Sequence, residues 1–175
     1  MKIGKWIAIL LLSNMLISSI ALGQGNLTAS ANIQITIVQS LQINQVKGDL
    51  SFGEVVLGGV SSKIERTPDK GILFEVNGSA GRDVVVDYDK TLLHNERVLN
   101  NASNKNTIQF TPQVNTTYAN ENYSSPEPVS TGNSYQLTNN KGSGVLYLWV
   151  GGEMDIDREL LSGNYSGEFA VTVSY

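Results

Sequence analysis

Apolar and polar residues alternate with a period of two through most of this chain, and that pattern predicts strands. In "TASANIQITIV" the residues Ala29, Ala31, Ile33, Ile35 and Ile37 share one face, with Ser30, Asn32, Gln34 and Thr36 on the other. The last segment, "SGNYSGEFAVTVSY", sets Phe169, Val171, Val173 and Tyr175 against Glu168, Thr172 and Ser174. Between them lie "LQINQV", "LSFGEVVL", "GILFEV", "RDVVVDY", "TIQFTPQV", "SYQLT" and "GVLYLWVGG". Asn77-Gly78 offers the positive-φ residues of a tight turn between two of these segments. Pro112 cannot donate to a ladder, so its strand is expected at an edge or with a bulge. Helical patterning is confined to "DKTLLHNERVLN", residues 89–100, a short helix or else loop with a little strand. Residues 115–143 are rich in Asn, Ser, Thr and Gly and read as long surface loops around one short strand. Many short strands with turn residues between them predict an all-β chain, a single Ig-like antiparallel β-sandwich of about 8–9 strands.

The N-terminus changes the picture of where such a domain would work. "MKIGKWIAILLLSNMLISSIALGQG" has two lysines, an interrupted apolar run, and then Ala21 and Gly23 two apart. Residues 1–23 read as a secretory signal peptide, leaving 24–175 as one domain with no membrane insertion after cleavage. Lys2 and Lys5 leave with the peptide, so the remaining charge is −6 against −4 for the whole chain. A chain this acidic, without a basic cluster, has no electrostatic footprint for nucleic acid. It has no Cys, so a secreted domain must rest on apolar burial and ladder bonds alone. About 150 residues suffice for that.

Candidate chemistry is sparse, and neither catalytic residues nor a metal site or cofactor is expected. His94 is the only histidine and sits in a polar stretch, without the Gly-x-Ser-x-Gly elbow of a hydrolase. "GGEMDIDRE" spaces Glu153, Asp155, Asp157 and Glu159 two apart, but lacks the glycine-containing ligand loop that shapes a calcium site. It reads as a solvated strand face or a loop. Tyr118, Tyr123 and Tyr135 stand in the polar loop region, where they would stack on a glycan or pin the loops to the domain.

Taken in order, "ASANIQITIVQSLQI", "LSFGEVVLGG", "ILFEVNGSAGRDVVVDY", "LYLWVGG" and "GNYSGEFAVTVSY" resemble the bacterial domain of unknown function 4402. That family is similar to the spore-coat-U domain of archaic chaperone–usher pilins. The resemblance runs from about Ala29 to Tyr175 and implies a secreted sandwich of the bacterial envelope, associated with fibres or adhesion. Spore-coat-U domains usually carry a disulfide, and this chain departs from them in having no Cys. The resemblance also implies an assembly mechanism. Ala29, Ala31, Ile33, Ile35 and Ile37 would form a strand donated to a neighbour, received beside Phe169, Val171, Val173 and Tyr175. Residues 24–38 folding back as the first strand of their own domain is the competing expectation. The expected partners are other copies of the chain or envelope proteins, with glycans for a sugar-binding module.

Overall fold

The computed structural model describes residues 34–57, 61–98 and 105–175. Residues 37–175 form one compact unit. The expected signal peptide and the positions Ala29, Ala31 and Ile33 lie outside the described residues.

The described chain is nearly all β, in twelve strands. These are β1 (Gln42–Lys47), β2 (Ser62–Arg66), β3 (Ile72–Gly78), β4 (Asp83–Tyr88), β5 (Thr91–Asn95) and β6 (Thr107–Tyr118). There follow β7 (Glu127–Val129), β8 (Asn133–Gln136), β9 (Thr138–Asn140), β10 (Ser143–Ile156), β11 (Tyr165–Ser166) and β12 (Val171–Ser174). They form two antiparallel sheets packed as a sandwich. The larger runs β1-β3-β10-β6-β5-β11, with β2 and β9 also on β10 and β7 also on β6, and the smaller is β12-β4-β8.

β10 organises the larger sheet. On one edge it pairs first with β3 and then with β2, end to end. The short Pro68–Lys70 turn between those two strands crosses close to Gly151, where a Cβ would meet the backbone of Arg66, Thr67 and Pro68. Glycine at 151 therefore lets two separate strands share one edge of β10.

β10 is buried on both faces. Leu146, Leu148 and Val150 join Val76, Val114, Val84, Val86 and Leu137 between the sheets. Val145, Tyr147 and Trp149 point the other way and pack with Leu73 and Tyr123 into a small outer core. Met154 and Ile156 continue into a third cluster with Ile108, Phe110 and Leu160.

Several elements differ from expectation. "LSFGEVVL" forms no strand, yet Leu50, Phe52, Val55 and Leu57 pack against the third cluster, so the alternation marks burial without a ladder. Of the two expectations for residues 89–100 the strand holds and the helix does not, since β5 lies there, paired with β6 and β11. The run 115–143 holds three short strands rather than one. Pro112 does not mark an edge: β6 pairs with β10 on one side and with β5 and β7 on the other. Those last two pairings stop at Phe110 and resume at Val114, so Pro112 falls in the gap, where its missing N–H costs no bond to either. The other expectation for this strand, a bulge, holds: it falls at Thr117, opposite Tyr147 and Leu148. Asn77 and Gly78 end β3, and the turn to β4 is made beyond them, with Gly81 at φ +75°.

Candidate assembly surface along the last strand

β12 pairs antiparallel with β4 in the register Val171↔Tyr88, Thr172↔Asp87, Val173↔Val86 and Ser174↔Val85. One partner of this strand is therefore in the same chain. Among the described residues no strand pairs with its other edge. An edge strand leaves a row of N–H and C=O groups directed outward, ready to bond an added strand.

The core-facing side chains of β12 are only half-buried. Val171 and Val173 pack on the main core cluster, both of them partly exposed. Phe169, just before the strand, stands 6.0 Å edge-on to Phe110 and 6.3 Å from Tyr88, and Phe110 is 6.0 Å from Phe52. That chain of rings closes the sandwich at the Phe169 end. The other end is closed differently. Tyr175 is 42% exposed, but its phenol bonds to Gln39 and Ser79. Tyr175 thus anchors the strand end rather than serving as a fourth apolar knob.

The residues expected to supply a donated or first strand fall outside the sheets wherever they are described. Residues 34–40 are in no strand, and Ile35 and Ile37 are 80% and 86% exposed.

The outward face of β12 borders a cavity of about 200 Å³ lined by Asp87, Tyr88, Asp89, Thr91, Glu168, Ala170 and Thr172. Thr91 Oγ1 donates to the Glu168 carbonyl at 3.2 Å, tying β5 to the approach of β12. Elsewhere the carboxylates behave as a solvated strand face does. Glu153 pairs with Lys63 at 2.7 Å, Glu159 with Lys105 at 3.2 Å, and Asp157 Oδ1 accepts the Glu159 N–H. No group of His, Cys, Asp or Glu suited to a metal occurs among the described residues. His94 is exposed on β5.

Of the three tyrosines expected in loops only Tyr123 is in one, since Tyr118 ends β6 and Tyr135 lies in β8, and all three are tied down inside the domain. Tyr118 donates to Glu127 Oε2 at 2.7 Å, and Tyr135 Oη accepts the Ser130 N–H at 2.7 Å; both rings pack on the core between the sheets. Tyr123 lies on the outer core, edge-on to Trp149 at 5.3 Å, with its hydroxyl accepting from Asn115 Nδ2 at 2.7 Å. Tyr88, which the sequence did not single out, donates to the Val129 carbonyl at 2.6 Å. Together Tyr88, Tyr118 and Tyr135 fasten β7 and the turn after it.

These tyrosines shape the response to alkali. The Tyr118 hydroxyl is held above its ordinary value by its bond to Glu127 and then by burial. Tyr88 is raised by burial and then by Tyr135, and Tyr147 by burial and then by Glu75. Lys63 is raised by its hydrogen bond to Glu153. Each group holds its proton more tightly in the fold than in the unfolded chain. Stability is thus complete below the unfolded values and falls as pH rises through the folded ones, above about pH 10. The urea midpoint should stay level through neutral pH and drop above about pH 10, with a shallower drop in Tyr118→Phe and Tyr147→Phe. A level midpoint up to about pH 11 would refute this coupling.

No protein-family model matches the chain, and no curated protein matches it.

Proposed function

We propose that the protein is a secreted, non-catalytic structural subunit of the bacterial cell envelope that assembles by strand donation. In this reading the segment around Ala29–Ile37 of one copy lies along the open edge of β12 in the next. The observation that carries it is a pairing of opposites. An alternating apolar segment stands exposed at Ile35 and Ile37, and the half-buried strand β12 lacks a neighbour on one side among the described residues. Main-chain bonds would supply affinity, and alternate side chains would set the register. Residues 24–38 have no charged side chain, so the contact would depend chiefly on burial and ladder bonds and only weakly on salt.

The test compares the chain from Gln24 with one beginning at Gln39, by light scattering and heat-resistant migration on gels. The longer chain should form multimers, and the shorter should stay monomeric and bind a peptide of residues 24–38. A longer chain that remains monomeric at high concentration would refute donation.

A further inference from the structure

Both backbone polar groups of Gln39 are held. Its N–H donates to Ser79 Oγ at 2.6 Å, and its carbonyl accepts from Tyr175 Oη at 2.9 Å. The same phenol accepts the Ser79 N–H at 2.8 Å, so one hydroxyl joins three distant parts of the chain. Gly78 makes room for it: a Cβ there would lie 2.5 Å from Tyr175 Oη and 2.8 Å from Leu137 Cδ1. The Arg82 guanidinium sits 5.2 Å from the centre of the Tyr175 ring, an added cation–π contact.

Gln39 stands two residues after the exposed Ile37 and three before β1 begins. The clamp is at the β3–β4 turn. Because Ser174 pairs with Val85 and Val171 with Tyr88, that turn lies at the Tyr175 end of β12, away from Phe169. Chain geometry then limits what the segment can do. Ile37 stays within about 7 Å of Gln39, since two residues span no more. Phe169 is roughly 20 Å from Tyr175 along an extended strand. A strand running antiparallel along the whole of β12 must bring its last isoleucine to the Phe169 end. With the clamp closed, a chain's own Ile37 falls short of that place, and its own segment could follow β12 only in the parallel sense. Every strand pair among the described residues is antiparallel, including β12 with β4 and β4 with β8. Parallel pairing is slightly weaker per residue.

We infer that the Ser79–Tyr175 clamp commits the segment outward: it bars the chain's own 29–37 from an antiparallel place along β12 and leaves that edge to a second copy. This rests on the strand-donation reading, whose partner and strand sense it specifies.

The chain has no Cys, so engineered thiols report unambiguously. In an antiparallel register that sets Ile35 against Val171, Gln34 meets Thr172. The full chain, expressed from Met1 with Gln34→Cys and Thr172→Cys, should oxidise into covalent ladders between copies. Adding Ser79→Ala and Tyr175→Phe should convert at least half of the product into internally bridged monomer. Internally bridged monomer as the main product with the clamp intact would overturn the inference, and so would ladders unchanged when the clamp is removed. If neither ladders nor internal bridges form, the donation reading fails. Hydrogen exchange at the Gln39 amide then decides the clamp itself: about tenfold slower than in Ser79→Ala supports it, and equal rates overturn it.

Discussion

Trp149→Ala and Leu148→Ala are each expected to lower the free energy of unfolding by about 2–5 kcal/mol, although the two side chains leave β10 on opposite faces. Leu148 is fully buried between the sheets, and its removal would leave a cavity lined by residues of both. Trp149 is on the outer face, where a half-buried sandwich strand would present a polar residue. Instead it is 4% exposed, covered by Tyr123, with its Nε1 donating to Thr117 Oγ1 at 3.0 Å. The bulge in β6 brings Thr117 to that point, and the Thr117 hydroxyl also bonds to the Asn120 carbonyl, holding the loop that carries Tyr123. Trp149→Phe keeps the ring contact and loses the hydrogen bond, for a cost of about 1 kcal/mol. Urea unfolding of the three variants measures all of this. With a total stability of roughly 5–15 kcal/mol, either alanine variant should shift the midpoint clearly. A loss below about 1 kcal/mol in Trp149→Ala would mean that the outer cluster does not act as a core.

The unbroken apolar run "GVLYLWVGG" carries this double burial in plain sight, because a strand covered on both faces has no need of alternation. β3, β4 and β12 were likewise legible from period two. "LSFGEVVL" shows the limit of that signal: its apolar residues are buried as the pattern says, but alternation reports a buried side, not a ladder partner. β2, written "SKIER", has one apolar residue and exists because β10 extends past Gly151 and offers an edge. Residues 89–100 left a short helix or a loop with a little strand open, since Leu92 and Leu93 fit either period, and the neighbours of β5 on both sides decided for the strand.

The candidate surface was legible in its apolar half. Phe169, Val171 and Val173 line the core side of β12, as their spacing implied. The role of Tyr175 was not legible, because it depends on Ser79 and Gln39, 96 and 136 residues away in sequence. Gly78 looked like a turn residue, and its lack of a side chain instead admits the phenol. Such contacts come from where the two sheets bring turns together, which local patterning does not encode.

Ile35→Asp with Ile37→Asp should abolish assembly while leaving the unfolding midpoint of the domain unchanged. Both side chains are largely exposed in the single chain, where a surface substitution shifts stability by no more than about 0.5 kcal/mol. Placed along β12 of a second copy, the same positions would face Val171 and its apolar neighbours. An unpaired carboxylate there would lose its hydration for several kcal/mol, and each ~1.4 kcal/mol is tenfold in affinity. Assembly should therefore fall by more than about a hundredfold, read as a shift from multimer to monomer in light scattering. Val173→Asp should do the same from the receiving side, at some cost to the domain because Val173 packs on the core. Mixing separates the two roles: a chain with Ile35→Asp and Ile37→Asp keeps an intact β12 edge, so it should still bind the 24–38 peptide, whereas Val173→Asp should not. Multimers that persist in Ile35→Asp with Ile37→Asp would exclude this segment as the contact. They would then have to be held by another exposed edge, β1 with Ile43 and Val46 foremost.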